Sequence, residues 1–141
     1  SMIIEFGTYP LRLKSDNSNQ LIYDPIRKKW IVLTPEEQVR QIWIQYLLND
    51  KGFSPSRIAV ERGILVNGRS KRFDICVYDT DLNPNILIEC KEPKVKLREP
   101  GVEQLSIYNM QLGAKKFILS NGVQHLGFEI SGEKIKLLET F

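Results

Sequence analysis

Apolar residues in this chain recur in short runs separated by turn residues, a pattern typical of β-strands joined by turns. Asp24-Pro25 opens the turn between the first two runs, which therefore predict a hairpin. The next three runs predict an antiparallel meander, and Asn121-Gly122 predicts a tight turn farther along the chain. The predicted strands are residues 21–23, 30–33, 58–66, 73–78, 86–91, 116–120, 123–130 and 135–138.

Two other stretches carry apolar residues at the 3.6-residue spacing of an α-helix. Thr34 is a good N-cap for the first helix, Pro35 suits its first position, and Glu37 completes a capping box. Gly52 is expected to end this helix, and a second helix is predicted over residues 101–112. The apolar positions are Val39, Ile42, Trp43, Tyr46 and Leu47 in the first helix, and Val102, Leu105 and Tyr108 in the second.

This order of elements predicts an α/β protein in which a central mixed β-sheet is flanked by helices. Residues 1–141 fit a single domain, with 1–19 as an N-terminal extension and 20–138 as the core. With 42% hydrophobic and 26% charged residues, the composition is that of an ordinary globular protein. No apolar run approaches the ~20 residues that span a bilayer, and the N-terminus has no signal pattern. We therefore expect no membrane partner and a cytoplasmic location.

Cysteine content and net charge say less about function than the local clustering of charge does. Cys76 and Cys90 lie in apolar strands and are expected to be buried thiols; with His125 they are too few for structural zinc. The net charge of +3 does not by itself indicate nucleic-acid binding. The basic residues do cluster, however, and two of the clusters flank the acidic residues described next. The clusters are Arg27-Lys28-Lys29, Arg69 with Lys71-Arg72, and Lys91 with Lys94, Lys96 and Arg98.

Two acidic residues and a lysine stand in or beside strands that are otherwise apolar. Asp74 interrupts one strand, whereas Glu89 and Lys91 end the next one with their side chains on the same face. If the two strands pair, both carboxylates and the backbone carbonyl of Cys90 can hold Mg²⁺. Such a site can activate water for phosphodiester hydrolysis, while Lys91 orients the water or offsets developing charge. The alternative is a solvated face on which opposite charges pair.

The sequence around these residues resembles a known family. Asp74 followed by Glu89-x-Lys91 resembles the PD-(D/E)xK nuclease signature, and the wider sequence is similar to the N-terminal domain of type I restriction enzyme R subunits. The similarity covers roughly residues 20–130. The similar segments are Asp24-Pro25-Ile26-Arg27-Lys28-Lys29-Trp30, Thr34-Pro35-Glu36-Glu37-Gln38-Val39-Arg40, Arg72-Phe73-Asp74, Ile88-Glu89-Cys90-Lys91, Gln104-x-x-x-Tyr108 and Ser120-Asn121-Gly122.

The resemblance implies a restriction-endonuclease-like fold, with Asp74 and Glu89 as metal ligands and Lys91 as the catalytic lysine. The function it implies is a Mg²⁺-dependent nuclease that hydrolyses DNA, with Mn²⁺ able to replace Mg²⁺. One alternative is a catalytically inactive nuclease-fold domain that binds nucleic acid or a partner protein. Another is a regulatory module whose acidic pocket binds only a metal. The implied partners are DNA and either a second copy of the chain or restriction-modification subunits.

Three further residues enter the candidate site through the resemblance. Glu37 matches an additional acidic residue that faces the site in the family. Gln104 and Tyr108 match a Gln-x-x-x-Tyr motif that is associated with contacts to nucleic acid. From the residues alone, Glu37 is fully explained as the capping-box acid, and Tyr108 is equally well explained as a core aromatic.

Basic residues close to the signature are candidates for binding nucleic acid. Arg72 precedes its first acidic residue, and Lys94 and Lys96 follow its second strand, where they can neutralise phosphates. A solvated charged loop explains the two lysines equally well. Glu61 is expected to be a surface carboxylate, and His125 is expected to fill the core or the surface.

The chain also departs from the family. Phe73 stands where the signature has proline, a substitution that leaves Asp74 in place. R subunits continue into an ATP-driven translocase, whereas this sequence ends at Phe141. Residues 63–70 read Gly-x-x-x-x-Gly-Arg-Ser, but Arg69 stands where a phosphate loop needs lysine. We therefore expect no motor activity, and either a stand-alone nuclease-like domain or a piece that works with partners.

Overall fold

The computed structural model describes residues 2–66, 68–98 and 114–141, which form three β-sheets and one α-helix. The helix, α1, spans Pro35–Gln45; a π-helical turn, Tyr46–Asp50, continues it, and a 3₁₀ turn follows at Pro55–Arg57. The strands are β1 Leu13–Asp16, β2 Asn19–Asp24, β3 Lys29–Val32, β4 Ile58–Val60, β5 Gly63–Val66, β6 Arg69–Arg72, β7 Ile75–Tyr78, β8 Pro84–Cys90, β9 Lys116–Ser120, β10 His125–Ser131 and β11 Lys134–Leu138.

Six strands form the main sheet, in the order β11-β10-β9-β8-β7-β4. All neighbours run antiparallel except β8 and β9, which are parallel, so the predicted mixed sheet is confirmed. The predicted pairing of the Asp74 and Glu89 strands is also confirmed, because β7 and β8 are antiparallel neighbours. The predicted hairpin near the N-terminus is present as β2 and β3, and β5 pairs with β6 in the third sheet.

The prediction of one continuous strand over residues 58–66 is wrong, because the chain breaks after β4. Glu61 has a φ of 51°, in the left-handed region that side chains of its size rarely adopt. Its N–H donates to the carbonyl of Asp74 at 3.1 Å, which holds this conformation from a different segment of the chain. Beyond the break, β5 pairs with β6 instead of continuing the main sheet.

The turn between β9 and β10 is longer than the sequence predicted, so β10 begins two residues late. Asn121 Oδ1 accepts the N–H of Val123 at 2.9 Å and that of Gln124 at 2.7 Å. The Asn121 side chain therefore accepts hydrogen bonds from two N–H groups that were expected to pair with the neighbouring strand. Gly122 has a φ of 89°, and a Cβ there would lie 3.1 Å from Val39 Cγ2, so the turn packs closely against α1.

Helix α1 begins where the sequence predicted. Thr34 Oγ1 accepts the N–H of Glu37 at 3.0 Å, and Pro35 occupies the first turn. The capping box is only half formed, because the hydrogen bonds of the Glu37 carboxylate among the described residues go to side chains of the candidate site. Gly52, with a φ of 72°, ends the helical segment.

Both faces of the main sheet are buried. On one face, Trp43, Ile44 and Leu47 of α1 and the turn after it pack against strand residues that include Ile75 and Ile88. Complete burial of a side chain of this size contributes about 1.5–3 kcal/mol. Both cysteine thiols are buried and free, as predicted. The opposite face buries Ala59, Phe73, Cys76, Leu87, Leu97, Ala114, Phe117 and Leu119.

Residues ahead of the predicted core also contribute to the fold. Strand β1 pairs with β2 and extends the predicted hairpin to three strands. Met2 is buried, and its N–H donates to the carbonyl of His125 at 3.0 Å. His125 lies edge-on to Phe6 and Trp43, with ring centroids 5.4 and 5.7 Å away, so it is a core residue.

Part of the predicted architecture lies beyond the described residues. The second helix, predicted over residues 101–112, falls there together with Gln104 and Tyr108. No helix in the described part of the chain is long and apolar enough to cross a membrane. The described residues thus show a mixed β-sheet with a helix packed on one face, and the restriction-endonuclease-like topology stays a prediction.

Candidate active site

Asp74 and Glu89 face each other where β7 and β8 pair. Ile75 is opposite Ile88, so the residue before β7 meets the residue that follows Ile88. The N–H of Asp74 donates to Glu89 Oε1 at 3.3 Å, and the N–H of Cys90 donates to Asp74 Oδ2 at 2.8 Å. These hydrogen bonds fix two carboxylates side by side at the ends of adjacent strands.

Glu89 is difficult to ionise in this position. Burial, followed by the charge of the Asp74 carboxylate, raises the pKa of Glu89 to about 8. Two carboxylates held this close repel each other when both are ionised, so the ionised pair is stabilised by a neighbouring cation.

Arg40 supplies such a cation from α1. Its Nη2 lies 2.6 Å from Asp74 Oδ1, and its Nη1 lies 2.8 Å from Glu37 Oε1. Nη2 also lies 3.1 Å from Glu61 Oε1. Burial opposes the charge on Arg40, but the Asp74 and Glu37 carboxylates outweigh it and raise the pKa of Arg40. Arg40 therefore links the strand acids to the acids of α1.

Arg27 makes a second set of ion pairs on the far side of Glu37. Its Nε lies 2.7 Å from Asp24 Oδ2, and its Nη2 lies 3.2 Å from Glu37 Oε1. Its Nη1 lies 3.1 Å from Glu61 Oε2. Gln41 of α1 donates to Asp24 at 3.0 Å and to Glu37 at 3.1 Å. Arg27 therefore points into the cluster, although the sequence groups it with two lysines that are exposed.

Acidic side chains outnumber basic ones in this cluster as far as the described residues go. Even with Glu89 protonated, the carboxylates exceed the cations, which makes the cluster attractive to a further positive ion. The acids are Asp24, Glu36, Glu37, Glu61, Asp74 and Glu89, and the cations linked to them are Arg27, Arg40 and Lys91.

Lys91 lies directly after β8 and is half-buried. Its N–H donates to the carbonyl of Ser120 at 2.8 Å, so its backbone stays beside β9. Its positive charge acts on both Glu89 and Glu36, opposing the rise in their pKa values. Within the described residues its ammonium forms no ion pair, so its charge is available to another group.

Residues 35–140 match the family model of the type I restriction enzyme R protein N terminus, well over half of the chain. This chain belongs to that family. A solved fragment assigned to the HsdR subunit of a type I restriction enzyme from Vibrio vulnificus YJ016 has a similar fold, with a TM-score of 0.53 and 22% identity over 77% of this chain. The chain spans 23% of the length of that fragment. A search of the curated proteins finds no match.

In this member of the R protein N-terminus family, the basic residues predicted to bind nucleic acid are solvent-accessible. Arg72, Lys94 and Lys96 are all exposed. Asn121 Nδ2 donates to the carbonyl of Val95 at 2.9 Å, which fixes the loop that carries both lysines to the turn after β9. The two lysines are therefore held on a defined loop that follows the strand of Glu89.

Five members of the cluster were not predicted as site residues from the sequence: Asp24, Arg27, Glu36, Arg40 and Glu61. Arg40 lies three residues after Glu37 on α1, and this spacing places both on one helix face, which is a signal the sequence does contain. Glu61 was expected at the surface; its side chain is 36% exposed, yet it contacts both Arg27 and Arg40. The strained backbone at Glu61 is the kind of feature that concentrates at functional sites.

The oxygen donors of Asp74 and Glu89 suit a hard cation such as Mg²⁺. Asp74 Oδ2 accepts the Cys90 N–H at 2.8 Å, and a carboxylate oxygen has capacity for more than one partner. In the described ranges, no group of three or more His, Cys, Asp or Glu side chains is arranged to hold a metal. Ligation would therefore rest on two side chains, a backbone carbonyl and water. The residues fit Mg²⁺ provided that Arg40 shares Asp74 with it.

Proposed function

We propose that this chain is the nuclease domain of a type I restriction enzyme R protein and that it hydrolyses DNA with Mg²⁺. The pairing of Asp74 with Glu89 inside an acidic cluster carries the proposal. Membership of the family supports a restriction-related role. In this proposal Asp74, Glu89 and the carbonyl of Cys90 would hold the ion, and the topology is that of a restriction endonuclease.

Lys91 is the proposed catalytic residue from the protein itself. When bound, the metal ion polarises the phosphate and lowers the pKa of an adjacent water. Lys91 lies two residues beyond Glu89, so both side chains project to the same side of the strand. With no ion pair among the described residues, its ammonium is free to offset the negative charge that builds up on the phosphate oxygens.

Arg40 and Glu37 are positioning residues in this proposal. Arg40 holds Asp74 Oδ1, and Glu37 holds Arg40 through a buried contact of 2.8 Å. Arg27 supports Glu37 from the other side. The burial of Glu37 between two arginines supports a role exerted through Arg40 instead of direct contact with the phosphate.

The proposed substrate is DNA, approached along the exposed basic residues. Arg72, Lys94 and Lys96 are proposed to neutralise phosphates and orient the backbone without reading its sequence. One site cuts one strand at a time, so cleavage of both strands is proposed to involve a second copy or restriction-modification subunits.

Plasmid cleavage tests the proposed function. With Mg²⁺, the chain is expected to nick supercoiled plasmid, and Lys91→Ala and Asp74→Asn are expected to lose activity by about 10²–10³-fold. Lys134→Ala is the matched control, since Lys134 is an exposed lysine at the far edge of the sheet. Equal cleavage by the wild-type chain and Lys91→Ala, purified identically, would mean that the activity comes from a contaminant.

A catalytically inactive domain that binds nucleic acid is the second candidate. The 2.6 Å contact between Arg40 and Asp74 favours it, because the guanidinium supplies the acidic pair with a cation of its own. This candidate predicts that DNA binding is the same in EDTA and in Mg²⁺, and that neither Mg²⁺ nor Mn²⁺ supports cleavage.

A further inference from the structure

The outer face of the β1-β2-β3 sheet carries aromatic and basic side chains together. Tyr23 pairs with Trp30, and the N–H of Tyr23 donates to the carbonyl of Arg12 at 2.9 Å, so these three residues share a face. Lys14 lies two residues after Arg12 and therefore shares it too. Ile22 directly precedes Tyr23 in β2, so its side chain lies on the opposite face, where it is completely buried. The alternation thus directs Tyr23 and Trp30 outward.

The side chains on this face are arranged as two rings with cations over them. The centroids of Tyr23 and Trp30 lie 5.3 Å apart, with ring planes at 68°. Arg12 Cζ lies 4.4 Å from the Tyr23 centroid and 5.5 Å from that of Trp30. Lys14 Nζ lies 4.3 Å from the Trp30 centroid. Both cations are exposed, so each can contact a ring and an anion at once.

We propose that this aromatic platform, formed by Arg12, Lys14, Tyr23 and Trp30, binds single-stranded DNA. Aromatic rings and a planar guanidinium offer stacking surfaces to bases, and the two cations offer partners to the phosphates between them. Duplex bases present only their edges, because their faces are already stacked on each other, so the platform selects unpaired strand. The inference rests on the nucleic-acid substrate of the proposed function.

The platform is tied to the candidate active site by a continuous set of contacts. Asp24 follows Tyr23 in β2, and its carboxylate accepts hydrogen bonds from Arg27 at 2.7 Å and from Gln41 of α1 at 3.0 Å. Arg27 in turn contacts Glu37, which belongs to the acidic cluster. The platform thus lies on the same three-stranded sheet that contacts α1, on the face opposite to Asp24.

Fluorescence anisotropy with a labelled oligothymidylate of about 16 nucleotides tests the platform, with a duplex of equal length for comparison. EDTA in the buffer excludes cleavage. The double variant Arg12→Ala/Lys14→Ala is expected to bind the single strand about ten-fold more weakly. Lys134→Ala/Lys136→Ala removes the same charge from exposed positions on β11 and is expected to lose much less affinity. Equal losses in the two double variants would overturn the platform in favour of general electrostatic attraction.

Trp30→Leu separates stacking from charge, since it keeps an apolar side chain and leaves both cations in place. It is expected to weaken single-strand binding by about ten-fold and to leave duplex binding unchanged. A thermal melt checks that the variant is folded. Unchanged single-strand binding by folded Trp30→Leu would show that the rings only stabilise the sheet. Tighter binding to duplex than to single strand by the wild-type chain would also contradict the proposal.

The platform and the nuclease can fail independently. If Lys91→Ala abolishes cleavage while the platform variants bind like the wild-type chain, only the platform is overturned. If the wild-type chain cuts nothing but binds single strands through Trp30, the platform stands and the proposed hydrolysis fails. Absence of binding to either oligonucleotide overturns the platform whatever the plasmid assay shows.

Discussion

The guanidinium of Arg40 meets the carboxylate of Asp74 at 2.6 Å, so an arginine from α1 already binds the first residue of the acidic pair. The Arg40 side chain is 6% exposed and that of Asp74 is 12% exposed. Removing one partner of such a pair leaves the other charge buried and unpaired. Arg40 therefore stabilises the acidic cluster and competes with any other cation for Asp74.

Replacing Arg40 by glutamine is expected to lower the free energy of unfolding by about 3–5 kcal/mol in EDTA, measured by urea denaturation. Mg²⁺ is expected to restore more of this free energy in Arg40→Gln than it adds to the wild-type chain, because Asp74 Oδ1 becomes available. Arg40→Lys keeps the charge and is expected to lose less stability. An equal effect of Mg²⁺ on the wild-type chain and Arg40→Gln would show that Arg40 does not compete with the metal.

Because the pKa of Glu89 is raised, the free energy of unfolding is predicted to decrease as pH rises. The folded state holds the Glu89 proton up to about pH 8, whereas the ordinary pKa is 4.5, so this contribution is present below 4.5 and lost as pH rises through 8. Glu89→Gln cannot ionise. Its unfolding free energy relative to the wild-type chain is expected to increase by more than about 1 kcal/mol across that range. Urea denaturation in EDTA measures the difference.

Glu133→Gln is the matched control for Glu89→Gln, because Glu133 is exposed in the turn between β10 and β11. Its stability is expected to run parallel to that of the wild-type chain at every pH. If the Glu89→Gln curve is parallel as well, Glu89 is not protonated in the folded protein at neutral pH.

His125 predicts a loss of stability in acid. Burial lowers the pKa of His125 to about 4, while that of an unfolded histidine is about 6.5. The unfolded chain takes up the proton first as pH falls, so stability present above about 6.5 is lost towards pH 4, by about 3 kcal/mol in total. His125→Asn removes this titration, so the free energy of unfolding of the variant is expected to fall less than that of the wild-type chain between pH 7 and pH 4. If the free energies of unfolding of the wild-type chain and of His125→Asn differ by the same amount at every pH from 7 to 4, the prediction is contradicted.

Most of the fold could be predicted because its signals are local. Apolar runs and turn residues located the strands of the main sheet, and Thr34-Pro35 located the start of α1. Strand β1 was missed because all of its residues are exposed, so it has no apolar run to reveal it. The break at Glu61 was missed because a hydrogen bond from a distant segment, at the carbonyl of Asp74, holds its conformation.

The candidate site was only partly predictable, for a related reason. Strand alternation and antiparallel pairing were enough to predict that Asp74 lies beside Glu89. The contacts of Arg27 and Arg40 were not predictable, because long side chains from separate elements meet only after the sheet and helix have packed. Sequence spacing thus indicated the acidic pair, whereas the cations around it depend on tertiary structure.

Anomalous diffraction from crystals soaked with Mn²⁺ tests most directly whether Asp74 and Glu89 share a divalent cation. An anomalous peak is expected in contact with carboxylate oxygens of both residues, and it is expected to be lost in crystals of Glu89→Gln. Absence of a peak at saturating Mn²⁺, with Arg40 still bound to Asp74, would contradict this expectation.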